Sequence, residues 1–150
     1  MVEFRKGYSL WTEYDLPSLQ WLLEFMAHRT ARGALRKVLL RDDDGKIAGW
    51  YIYYAKPDAV GEVVQVGGDP NMTKDILDHL FYDAWQQGVA GVHGLIEMRR
   101  MADFSDKHCF FTCRGGWTMA RSAHPELLNL LEADTLFTRL DGEWCLDIGD

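Results

Sequence analysis

The groups in this sequence able to move protons near neutral pH are few and widely spaced. Glu62 begins a predicted strand and Glu97 ends another. A carboxylate at the C-terminal end of a strand in an open α/β sheet lies where such sheets bind ligands. His108 stands eleven residues on, and its imidazole titrates near neutrality, which suits a general acid. The plain alternative for Glu62 and Glu97 is an exposed strand-end carboxylate. A second chemistry is anion binding. Gly67-Gly68-Asp69-Pro70-Asn71-Met72-Thr73-Lys74 leads from a strand into a helix, where unpaired backbone N–H groups and the helix dipole attract negative charge. Pro70 lacks an N–H, and Asp69 and Asp75 bring charge of the wrong sign; Lys74 offsets part of it. Basic residues are denser at Arg29, Arg32, Arg36 and Lys37, and again at Arg99, Arg100 and Lys107; each group reads either as solvated surface or as a seat for an anionic ligand.

Other reactive residues point to less. His108-Cys109-x-x-x-Cys113 lacks the four ligands of structural zinc, so no metal is expected. Cys109, Cys113 and Cys145 are an odd number in a chain of 150 residues, which fits reduced cytoplasmic thiols better than a disulfide framework. The net charge of −7 argues against a nucleic-acid partner. No apolar run reaches the roughly 20 residues of a membrane span, and no signal peptide follows Met1. With 47% hydrophobic and 13% aromatic residues, one packed domain over 1–150 is expected.

The elements that must position these groups follow from periodicity and turn chemistry. Leu19, Leu22, Leu23 and Met26 recur at helical spacing, predicting a helix over Leu16–Ala31 with Asp15 as N-cap. Lys37–Arg41 and Ile47–Tyr54 predict a hairpin closed by Asp42-Asp43-Asp44-Gly45-Lys46. Glu62–Val66 predicts a third strand. Leu77, Leu80, Phe81, Ala84 and Trp85 give the strongest stripe, predicting a helix over Thr73–Gln87 closed by Gly88. Val92–Glu97 predicts a strand parallel to Glu62–Val66, because strand, helix and strand join by a right-handed crossover. A short helix or irregular segment over Met98–Lys107 follows. Cys109–Phe111 and Trp117–Met119 read as strand-like, Pro125–Glu132 as a helix, and Phe137–Leu140 with Trp144–Ile148 as a final hairpin.

This order resembles the GNAT N-acyltransferase superfamily over nearly the whole chain. The resemblance rests on Arg41 to Trp50 as a strand-turn-strand with Gly49 in its second strand. It rests also on Glu62-Val63-Val64-Gln65-Val66 running through a loop into an amphipathic helix, and on Leu95-Ile96-Glu97 followed by a short helix. The tail from Phe137 to Trp144 is similar to the C-terminal half of two-lobed members. The resemblance implies a mixed α/β (α+β) fold, with a central sheet and flanking helices, and acyl transfer from acetyl-CoA to an amine of a small molecule or polymer precursor. It implies a base at Glu97 or Glu62. In place of the Tyr that many members use as the acid, the sequence has Ser105 and His108. The backbone of Val64, Gln65 and Val66 would pair with the pantetheine arm, and Gly67, Gly68, Asn71, Thr73 and Lys74 would surround the phosphates. The loop departs from the superfamily's Arg/Gln-x-x-Gly-x-Gly/Ala pattern, since no glycine stands in the helix's first turn. A donor other than CoA, or a non-catalytic module that binds a partner, is the other expectation. A lone lobe would pair with a second lobe or as a homodimer.

Overall fold

The computed structural model describes residues 8–112, 122–133, 135–136 and 139–140. The strand-like reading of Trp117–Met119, the strand over Trp144–Ile148, Cys113 and Cys145 lie outside them.

The first helix, α1 (Leu16–Ala27), starts where expected: the Asp15 carboxylate accepts the Ser18 N–H at 2.7 Å, and Pro17 occupies the first turn. It stops four residues earlier than predicted. The chain then makes a 3₁₀ turn over Thr30–Arg32 and turns at Gly33 with φ 108°. Strands β2 (Ala34–Arg41) and β3 (Ile47–Ala55) form the expected hairpin, with Gly45 at φ 79° and the Lys46 N–H held by the Asp42 carboxylate. Strand β4 (Val60–Gly68) lies antiparallel to β3. Helix α2 (Thr73–Gln86) crosses to β5 (Gly91–Gly94), which is parallel to β4. The order β2-β3-β4-β5 makes a mixed four-stranded sheet flanked by helices, a mixed α/β fold.

Each face of the sheet carries its own core. On one, Ile76, Leu77, Leu80 and Ala84 of α2 pack on Tyr51, Tyr53 and Val63. On the other, Leu22 and Met26 of α1 pack on Ile52, Tyr54, Val64 and Leu140. The α2 stripe is therefore centred one position earlier than the sequence suggests. Ile76 is buried, whereas Trp85 is 70% exposed and lies against Tyr82 instead of the core.

Polar groups also join α2 to the sheet. Arg36 grips Asp83 through two hydrogen bonds of 2.8 and 2.7 Å, and the fully buried Tyr53 donates its hydroxyl to the same carboxylate at 2.9 Å. Burial and the Asp83 charge push the Tyr53 phenol far above its ordinary range, so the hydroxyl stays a donor. Asp83→Ala strands a buried hydroxyl and loosens a guanidinium. The variant is expected to lose about 2–3 kcal/mol of stability, read as a lower urea midpoint at unchanged slope.

The two parallel strands part early. Their register runs Val60↔Gly91, Gly61↔Val92, Glu62↔His93 and Val63↔Gly94, and ends there, while β4 continues to Gly68. The cause is a bulge. Tyr53 pairs with Val63, but Ile52 pairs with Gln65, so Val64 is the extra residue. A bulge bends its strand and raises the local twist, which swings β4 away from the chain following β5. The strand expected over Val92–Glu97 is thus only Gly91–Gly94, and Leu95, Ile96 and Glu97 continue without a ladder.

A 3₁₀ turn (Met98–Arg100) leads into α3 (Met101–Asp106). Two ion pairs fasten α3 and its end to α2: Lys74 with Asp106, and Lys107 with Asp78 at 2.6 Å. Cys109–Phe111 is not a strand. Helix α4 (Pro125–Ala133) runs one residue past its predicted end. Strand β1 (Leu10–Trp11) pairs in parallel with β6 (Thr135–Leu136), a pairing too short to carry any periodicity. Residues 139–140 form a turn instead of continuing the strand expected over Phe137–Leu140, and residues 137–138 are outside the described set. No helix of the described residues is long and apolar enough to cross a membrane.

Candidate functional site

Where β4 and β5 diverge, a cavity of about 250 Å³ opens. Leu23, Ile52, Val64 and Leu140 line it from the α1 core; Val66, Ile76 and Phe104 line it from the α2 core. The cavity therefore passes through the plane of the sheet. A continuous ladder would have closed it.

Its walls come from strand ends. Val63 to Gly68 form one side and Leu95 to Glu97 the opposite side. On the side of β4 that faces β5, the backbone beyond Val63 has no strand neighbour among the described residues. The glycines of β4 have a packing cause. A Cβ on Gly67 would sit 2.4 Å from the Trp50 indole, whose N–H reaches the Gln65 side-chain oxygen at 2.9 Å. Trp50 can lie flat over β4 only because Gly67 carries no side chain.

Glu97 is the carboxylate on the cavity wall. Its Oε1 accepts the Tyr8 hydroxyl, and its Oε2 lies 4.0 Å from Arg100 Nε. Burial pushes the Glu97 carboxyl above the ordinary carboxylate range, against the pull of Arg100 and Arg99. A carboxylate so raised is a better proton acceptor than a free surface glutamate. Arg100 Nη1 donates to the Pro70 carbonyl at 3.0 Å, which places this cation beside the loop that enters α2.

The remaining candidates are placed as follows. Glu62 lies outside the cavity, between Arg32 at 3.3 Å and Arg139, so two guanidiniums hold its charge. His108 is also outside it, closing α3 at φ 58°. Val64, Gln65, Val66, Gly67, Gly68 and Thr73 line the cavity. Asn71 and Lys74 do not. The Asn71 N–H is taken by the Asp69 carboxylate at 2.8 Å and the Met72 N–H by the Asp69 carbonyl at 2.9 Å. Thr73 turns its hydroxyl to the Pro70 carbonyl at 3.0 Å, and Lys74 turns its ammonium to Asp106. Arg100 is the cavity's cation on this side, in the position the sequence suggests for Lys74; its only sequence signal is the local basic cluster. Tyr8 has no sequence signal, because its contact spans 89 residues.

No family model matches the sequence, and no curated protein matches it. Among solved structures, the chain is similar to an acetyltransferase of Trypanosoma brucei. The TM-score is 0.45 at 16% identity, covering 72% of this chain and 96% of that one.

Proposed function

We propose that this chain transfers an acyl group, acetyl first among candidates, from a thioester to an amine of a small molecule or polymer precursor. The observation that carries the reading is the parting of β4 and β5 at the Val64 bulge, with the Glu97 carboxylate on the wall of the resulting passage. The unladdered edge of Val64, Gln65 and Val66 offers backbone groups to an extended pantetheine amide chain, as to an added strand. An N–H on that edge would hold the thioester oxygen as charge develops on it. Glu97 takes the proton of the incoming ammonium. The amine nitrogen bonds to the carbonyl carbon, the C–S bond breaks, and the thiolate leaves to be protonated.

A second reading has its own observation. With the Asn71 and Met72 N–H groups both satisfied by Asp69 and no N–H on Pro70, the usual anion cradle before α2 has few donors left. That favours an acyl donor without a pyrophosphate. Calorimetric titration with acetyl-CoA and with acetyl-pantetheine, followed by thiol release in the presence of amines, separates the readings. Tighter binding of acetyl-CoA by tenfold or more supports CoA as donor. Equal affinities support the donor without pyrophosphate. Binding of neither, with no thiol released, overturns acyl transfer in favour of a non-catalytic module.

A further inference from the structure

The unlike charges on the cavity wall are close without being joined. At 4.0 Å, Arg100 Nε and Glu97 Oε2 attract one another but do not form a hydrogen bond. A guanidinium carries five N–H donors, and the hydrogen bond recorded for Arg100 among the described residues goes to the Pro70 carbonyl. Glu97 receives the Tyr8 hydroxyl on the oxygen that does not face Arg100. Both side chains are mostly shielded from water, at 22% and 28% exposure, so a ligand reaching them meets weakly screened charge.

A dianionic group on Arg100 would lie against Glu97 and be repelled. A simple amine on Glu97 would leave the adjacent guanidinium unmatched. A ligand with an ammonium and a carboxylate on neighbouring atoms satisfies both. Beyond this pair and Arg139, whose charge is met by Glu62, the lining is largely apolar, including Trp11, Leu23, Ile52 and Leu140. We infer that the acceptor is a free α-amino acid with an apolar side chain, its carboxylate on Arg100 and its amino group on Glu97. This rests on the acyl-transfer reading for the fate of the amine, but the binding itself does not.

The test uses the intact chain without donor. Leucine, leucinamide and 4-methylpentanoate are titrated by calorimetry; the second lacks the carboxylate charge and the third the ammonium. Leucine is expected to bind about 10–100-fold more tightly than leucinamide, the usual range for one charge-assisted contact. Arg100→Gln should bring that ratio close to one. Arg100→Lys, which keeps charge but loses the planar fork, should retain part of it. Glu97→Gln should likewise remove the preference for leucine over 4-methylpentanoate. Equal affinity for leucine and leucinamide, a ratio unmoved by Arg100→Gln in a variant with wild-type circular dichroism, or no leucine binding overturns the inference. Thiol release then divides the two claims. Leucine binding with the expected ratios but no acylation with either donor overturns acyl transfer and keeps the amino-acid site. Acylation of amines regardless of a carboxylate does the reverse.

Discussion

If the chain acylates amines as proposed, Glu97→Gln is expected to lower that rate by about 10²–10⁴-fold, the range associated with a positioned general base. The substitution keeps the shape of the side chain and leaves an oxygen for the Tyr8 hydroxyl. Affinity for the thioester donor should change little, so the loss appears in kcat and in the acceptor's KM, not in the donor's. The pH dependence supplies a second signature. Because burial raises the Glu97 pKa, the wild-type rate should climb as pH rises through that raised value, and the Gln variant should lack this limb. Stability moves in the opposite sense. A carboxyl whose folded pKa is raised contributes most below the unfolded value, about 4.3, and that contribution is lost as pH rises through the folded value. The Gln variant should therefore be as stable as wild type or more so at pH 7, with the advantage vanishing towards pH 4. Full turnover in Glu97→Gln eliminates Glu97 as the base.

Leu77→Ala should produce the largest loss of stability, about 2–5 kcal/mol. Leu77 is 0% exposed and sits between α2 and the tyrosine-bearing face of β3. Small domains have only about 5–15 kcal/mol in hand, so chemical denaturation should show a large drop in midpoint. Leu39→Ala is the matched control. Leu39 is 52% exposed on β2, and its truncation should stay within about 0.5 kcal/mol. Equal effects at the two positions would place α2 elsewhere.

Most elements are legible because they obey local rules. Asp15 and Pro17 announce the start of α1, Asp42 and Gly45 turn the hairpin, and the Leu77–Leu80–Ala84 spacing sets α2. The parallel β4–β5 pair follows from the crossover. What escapes is non-local or too short to have a period. The β1–β6 pair is two residues long, and the end of β5 at Gly94 depends on a bulge in a different strand. Glu62–Val66 reads only as a third strand, with nothing in it that announces an extra residue. The site follows the same division. Of the charged residues on the cavity wall, Glu97 stands out in the sequence by its chain position and Arg100 only as part of a basic cluster. The geometry that separates Glu97 from Glu62 is made by Tyr8, Arg32 and Arg139, which are distant in sequence.

The extra residue at Val64 also changes the arithmetic of β4. Before it, odd-numbered residues face α2, as Val63 does; after it, even-numbered ones do, as Val66 does. The strand thus joins two segments of opposite parity. Point substitution can change the size of the residue at that join but not the count. Loss of the Val64 codon would restore one alternation along the strand, leave Val63 and Val66 on the face they already occupy, and let the ladder with the chain after Gly94 run on. The opening through the sheet is therefore encoded by a number of residues as much as by their kinds. Alignments scored on residue type alone would pass over the feature on which it depends.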